Sequence, residues 1–342
     1  MRKVPSVTGR FVGMDVPQAG IGRITAAVVA MAVTLPYLTI KILWLTGHMV
    51  GVLDPSLMNS GTMVGLNAMT FGMDLVGLCL ALAFTTRWGM RLPAWLVLIP
   101  IWAGIALLSQ ILIALSLTLL IQGPGVFFGG DMLEGWVYLA VYGGFSLQGI
   151  GLTVAFVLYA RDRWPWVFSR GAERTAVPFQ YAVGRGSLLV TAIVGGANLY
   201  WAFGGTAGLD PAAVAARNLP GVITQAIAAV LIIGGAVAYL RLLRGHALWA
   251  VALAWMGSGY LFAWGLYRMI IVVTAGPLAS KTPMVVPDLV ELFSMSTGLV
   301  LGLGGAFLLI ERSGGSVVEA VKDALEGPQR EGDREPADGG HR

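Results

Sequence analysis

The 342-residue chain has one cysteine, three histidines and charged side chains at only 12% of its positions. Each shortage removes a class of explanation. A lone Cys79 permits neither an intrachain disulfide nor a cysteine metal cluster. His48, His246 and His341 fall in an outer turn, an inner turn and the tail, so they form no common ligand set. The sequence has no Walker loop, His-Glu-x-x-His, Gly-x-Ser-x-Gly or paired-histidine haem pattern. It therefore supplies no warrant for a cofactor or a metal. Gly149-x-Gly151 and Gly302-x-Gly304 are not nucleotide loops either, because no strand precedes them and both lie in apolar runs.

What is abundant is hydrocarbon. At 56% hydrophobic residues and a mean hydropathy of +0.77, the composition lies outside the range of soluble domains. Apolar stretches of roughly 20 residues recur, each long enough at ~1.5 Å per residue to cross a ~30 Å hydrocarbon core. Alternating barrel segments are absent, so the spans are helices. Charge and Gly/Pro punctuation predict eight transmembrane helices, at 21–46, 62–86, 93–121, 135–160, 187–203, 219–240, 247–275 and 288–310. Arg2, Lys3 and Arg10 precede a first apolar run with no small-residue cleavage motif, which reads as a retained helix and not a signal peptide.

Arginines divide the loops into two sets. Arg87 and Arg91 follow the second span, Arg161, Arg163, Arg170, Arg174 and Arg185 the fourth, and Arg241 and Arg244 the sixth. The other loops carry Asp54, Asp131, Glu134, Asp210 and Asp288, with Arg217 and Lys281 as their clear basic residues. The positive-inside rule makes the arginine-rich side cytoplasmic and, with an even number of spans, puts both termini there. The expectation is a multi-pass plasma-membrane protein whose basic residues serve topology, so the net charge of +4 calls for no nucleic-acid partner. Arg161-Asp162-Arg163-Trp164-Pro165-Trp166-Val167-Phe168 interleaves arginine with aromatics, as suits a segment at the headgroup level. After Arg312 the spacing of Val317, Val318, Val321 and Leu325 predicts one short amphipathic helix, followed by a polar end with the composition of a disordered segment.

The two halves share an order of motifs. Trp44-Leu45-Thr46-Gly47 leads through Gly51 to Asp54-Pro55, and Trp201-Ala202-Phe203-Gly204 leads through Gly208 to Asp210-Pro211. Asn67 then falls against Asn218, Trp95 against Trp249, Gly123-Pro124 against Gly276-Pro277, and Asp131-x-x-Glu134 against Asp288-x-x-Glu291. Collinear order at a similar offset argues for duplication. The implied organisation is an N-terminal segment at 1–20, four-helix repeats at 21–160 and 187–311, a basic and aromatic linker at 161–186 and a tail at 312–342. Repeats of four helices run parallel, related by a pseudo-twofold along the membrane normal.

Tyr200-Trp201-Ala202-Phe203-Gly204-Gly205 resembles the Tyr-Trp-Ala-Leu-Gly-Gly signature of short four-helix bacterial membrane proteins of unknown function. Phe203 replaces the leucine, and the first copy, Leu43-Trp44-Leu45-Thr46-Gly47-His48, has drifted further. The resemblance implies a duplicated four-helix architecture and no activity.

Asp54 and Asp210, each before a proline, read as helix N-caps. Asp131 with Glu134, and Asp288 with Glu291, have capping-box spacing at the outer ends of spans four and eight. The functional alternative for these acids is an outer vestibule for a cation. Residues that differ between the copies are the candidate site: Lys41 where the second half has Asn198, Asp74 where it has Gln225, and Arg268 against an apolar stretch around Ala114. A charge near the bilayer centre costs ~2.5–3.5 kcal/mol on insertion scales, so each needs a partner, a wet cavity or a snorkelling route. Asp74 is too short to snorkel and must be paired, hydrated or protonated. Lys41 has the choice of leaning to Asp74 or reaching the surface, as Arg268 has with Glu291. Gln110, Gln148 and Gln225 extend a polar lining or bond between helices.

Three functions stay open: a transporter or permease for a small molecule or ion with its site between the repeats, a scaffold docking a cytoplasmic protein, and a membrane-embedded enzyme. The last lacks an acid, base and nucleophile constellation.

Overall fold

The computed structural model describes residues 19–58, 60–128, 132–168, 178–245, 247–274 and 284–326. Eight long helices dominate: α1 (Ile21–Leu45), α2 (Gly61–Thr85), α3 (Ala94–Gln122), α4 (Gly135–Arg163), α5 (Pro178–Ala202), α6 (Leu219–Arg244), α7 (Leu248–Thr274) and α8 (Val285–Glu326). Each contains a stretch long and apolar enough to cross a membrane, so the protein is polytopic and its outer helix faces contact lipid. Helices are the form these apolar runs take because lipid offers backbone N–H and C=O groups no partner. Among the described residues the sole strand-like pairing is an isolated bridge between Val52 and Leu133.

Two boundaries differ from the sequence expectation. α5 begins at Pro178, within the stretch expected to be linker, because its first turns have something to pack on. The Tyr181 hydroxyl donates to the Leu243 carbonyl at 3.1 Å, and Gly184 lies against Leu243 and Tyr239. α8 runs unbroken through Arg312 to Glu326, so the amphipathic segment with Val317, Val318, Val321 and Leu325 continues the last span and is not a separate helix. Arg170 and Arg174 of the linker, Lys281, Gly276-Pro277 and the polar end beyond Glu326 lie outside the described residues.

In the first half α1 packs between α2 and α4, α3 packs on α4, and α2 barely touches α3. In the second half α6 packs tightly on both α5 and α7, and α8 closes against α7 and α5. Gly235 of α6 meets Gly257 of α7 so closely that a Cβ on either would come within 2.7 Å of the other's Cα. The halves join where α3 lies against α6 and α7. There the Trp102 indole donates to the Trp255 carbonyl at 3.0 Å and its ring stacks on Phe262 at 5.1 Å between centroids.

The turns after α1 and α5 have the same build. Trp44 Nε1 donates to the Val50 carbonyl at 2.9 Å, and Trp201 Nε1 to the Ala207 carbonyl at 3.1 Å. Gly47 and Gly204 have φ of 89° and 95°, and Gly51 and Gly208 have 70° and 80°, left-handed values that favour glycine. Asp54 accepts from Ser56 N at 3.0 Å, and Asp210 accepts from Ala212 N and Ala213 N, each opening a short helix at the following proline. The Tyr200 hydroxyl accepts from Thr206 N and Ala207 N, both at 3.3 Å. A Cβ on Gly205 would collide with the Tyr200 ring at 2.3 Å. The signature-like hexapeptide is thus a self-bonded turn. In the first half Leu43 has no such ring, and His48 stands where Gly205 stands in the second.

Ser60 caps α2 by accepting from Met63 N, and Asn218 caps α6 by accepting from Gly221 N. Asn67 lies inside α2, whereas Asn218 is itself a cap. Counted from these caps, Asn67 stands at the same step as Gln225, and Asp74 at the same step as the buried Ile232. Gly77 stands likewise with Gly235, and, from the starts of α3 and α7, Ala103 with Gly257.

Candidate functional site

Lys41 and Asp74 meet. Lys41 Nζ donates to Asp74 Oδ2 at 2.8 Å, and side-chain exposure is 0% for the lysine and 8% for the aspartate. The choice between snorkelling and pairing is decided for Lys41 by this burial. The ammonium also lies 4.1 Å from the centroid of the Tyr37 ring, one turn back on α1. A carboxylate and an aromatic ring so close to the ammonium are the environment that makes an interior lysine tolerable.

Asp74 lines a cavity of about 300 Å³ between α2, α3, α4 and α7. It sits where α2 and α3 part, and both Gly77 and Ala103 face it. In the second half Gly235 and Gly257, at the same steps along α6 and α7, are in contact, so helices that close there stand apart here. Phe145, Gln148, Trp264 and Tyr267 complete the polar and aromatic part of the wall. A second cavity of about 480 Å³ lies between the halves, lined by Gln110, Thr118, Tyr138, Tyr142 and Thr224. The two cavities share Ile111 and Trp264 as walls.

Arg268 and Glu291 form a separate pair at 3.3 Å, joining α7 to α8, with Arg268 half exposed. They do not enter the Lys41–Asp74 pair. Gln110 is 2% exposed, and its Oε1, the Gln225 Oε1 and the Trp264 Nε1 are buried without a hydrogen-bond partner. Such groups are costly unless a ligand or water meets them.

Two capping assignments need correction. Glu134 precedes α4 as its N-cap residue, but its side chain makes no cap bond. It accepts instead from Trp136 Nε1 at 2.6 Å, a charge-assisted bond that engages the carboxylate beside the helix end. Asp288 is not a cap, because α8 begins at Val285 and the Asp288 amide already bonds back to the Met284 carbonyl at 2.9 Å. Glu291 lies a turn deeper and serves Arg268. Asp131 lies outside the described residues.

Sequence reasoning missed several participants. Tyr37 carried a signal, since it lies four positions before Lys41 on one helix face. Trp264 and Tyr267 carried none, being aromatics among aromatics in an apolar run. Arg23 was hidden by its place near a span end. It is 2% exposed, with Nη1 donating to Asp162 Oδ2 at 2.6 Å. Beside it Arg163 donates to the carbonyls of Gly89 and Leu92 and to the Tyr159 hydroxyl, fastening the α2–α3 turn to α4.

Comparison of the chain with protein-family models, with curated proteins and with solved structures finds no match.

Proposed function

We propose that the protein binds a small molecule in the paired cavities and carries it across the membrane. The observation that carries this reading is the buried Lys41–Asp74 pair, whose aspartate lines a cavity at a place where the second half is closed. Interior charges that serve only stability are replaceable by hydrocarbon, often at no loss. A paired carboxylate that lines a void, with the unpartnered Trp264 indole on the same wall, has the composition of a binding site.

The likeness of the two outer turns supports descent from a duplicated four-helix unit with parallel halves, of the kind the Tyr-Trp-Ala-Leu-Gly-Gly resemblance implies. In this reading the arginine-bearing helix ends and both termini are cytoplasmic. The second half kept the closed packing and the first opened to hold the ligand. The alternative, docking of a cytoplasmic protein through the arginine and aromatic segment, draws less support because Arg163 is engaged within the protein and its guanidinium covers the Trp164 ring at 4.8 Å.

The test is thermal unfolding of the purified protein against a panel of ions and metabolites. Gly104 lines the first cavity with nothing within 4 Å of an added Cβ, so the side chain of Gly104→Leu enters the void. A ligand-dependent rise in wild type that Gly104→Leu abolishes is the expected result. Flat curves for every compound would sink the reading.

A further inference from the structure

We infer that the ligand of the first cavity is a small organic monocation, an ammonium group on an apolar body, that competes with Lys41 for Asp74. This rests on the binding site proposed above and names its chemistry.

Among the described residues Asp74 is the one charged residue on the wall of that cavity. Apart from Thr70 and Gln148 the rest of the wall is aliphatic and aromatic, with Phe145, Trp264 and Tyr267 among its lining residues. One carboxylate with aromatic faces is the arrangement that recognises ammonium groups. The protein demonstrates this with its own side chain, because Lys41 Nζ is held by Asp74 at 2.8 Å and by the Tyr37 ring at 4.1 Å. Lys41 is in effect a tethered ammonium. It engages Oδ2, which leaves the second carboxylate oxygen for a ligand, and a stronger cation takes both.

Other classes fit poorly. A hard metal cation takes about six or more oxygen ligands, whereas the described residues contain no group of three metal-ligating side chains. An anion would meet Asp74. A sugar-like molecule needs many polar partners, and Thr70 already gives its hydroxyl to the Leu66 carbonyl at 3.0 Å. Arg268 follows the wall residue Tyr267 but has its own counter-ion in Glu291. A cavity of about 300 Å³ suits a molecule of one ring and a short chain.

Three probes with a common body separate the classes: 2-phenylethylammonium, 2-phenylethanol and 3-phenylpropionate, titrated into the full-length protein in nanodiscs. The ammonium is expected to bind at least about tenfold more tightly than the alcohol, and the carboxylate not to bind. Lys41→Met, which removes the internal competitor, is expected to tighten ammonium binding by about tenfold or more, and Asp74→Asn to abolish the preference for it. A lysine with a purely structural role would give weaker binding when replaced. Equal binding of alcohol and ammonium, or weaker ammonium binding to Lys41→Met, overturns the inference. The wild-type comparison needs no variant and decides the class if Lys41→Met does not fold. Failure of all three probes, while the metabolite panel yields a ligand lost in Gly104→Leu, overturns the cation class and leaves the site standing. Failure of the panel as well removes the site.

Discussion

Lys41 Nζ and Asp74 Oδ2 lie 2.8 Å apart in the interior of the bundle and tie α1 to α2. Desolvation of both groups offsets most of their attraction, so the pair adds little net stability, yet stranding one partner costs roughly 3–5 kcal/mol. Lys41→Met and Asp74→Leu are each expected to lower unfolding free energy on that scale, and the double variant to recover most of the loss. Denaturant unfolding of all four proteins gives the coupling directly. Additive losses would mean that the two charges do not interact.

The close approach of Gly235 to Gly257 leaves no room for a methyl group. Gly235→Ala is expected to push α6 from α7 and destabilise by about 1–3 kcal/mol, as overpacking does. Gly104→Ala, which projects into open space, is expected to be neutral or to stabilise by up to about 1 kcal/mol, since alanine is the better helix former. Thermal unfolding side by side checks the contrast, and equal effects would refute the packing argument.

Arg23 and Asp162 are unequal partners, with side-chain exposures of 2% and 37%. Removing the carboxylate strands a buried guanidinium, whereas removing the guanidinium leaves a carboxylate that reaches solvent. Asp162→Ala is therefore expected to cost more than Arg23→Met, by about 1 kcal/mol or more. The reverse order in chemical denaturation would show that Arg23 reaches water once Asp162 is gone.

Trp44 and Trp201 each close the turn after their helix with one indole hydrogen bond. Trp44→Phe and Trp201→Phe are expected to cost similar amounts, about 1 kcal/mol each, and to add in the double variant because the turns share no partner. Melting curves of the three proteins test this. A large effect at one turn alone would argue against a common origin for their build.

Orientation is checked by cysteine labelling in a Cys79→Ser background. An impermeant maleimide is expected to label Ser56→Cys in intact cells, and Trp88→Cys, at the exposed α2–α3 turn, only after permeabilisation. The opposite pattern would reverse the topology that the arginines suggest.

Much of this architecture was legible in the order of residues. A run of apolar side chains near twenty residues long has one stable form in lipid, so six of the eight helices start and end within a few residues of the sequence expectation. α5 and α8 extend further because packing partners and continued helical hydrogen bonding, neither visible in hydropathy, hold the added turns. Lys41, Asp74, Arg268 and Glu291 stood out because charge in an apolar run is costly wherever the chain goes.

What the chain order could not decide is which of these groups meet, and at what depth. Hydropathy assigns Gln225 and Asp74 to similar levels, while the caps at Ser60 and Asn218 set Asp74 level with Ile232. The cavity is likewise invisible in sequence, because apart from Asp74, Gln148 and Thr70 its walls are ordinary aliphatic and aromatic residues drawn from four helices. Composition and periodicity determine that a segment enters lipid, since that depends on each segment's own transfer free energy. Tertiary packing alone determines that α6 seals on α7 at Gly235 while α2 stands away from α3 at Gly77, since a gap or a contact is a property of two surfaces together.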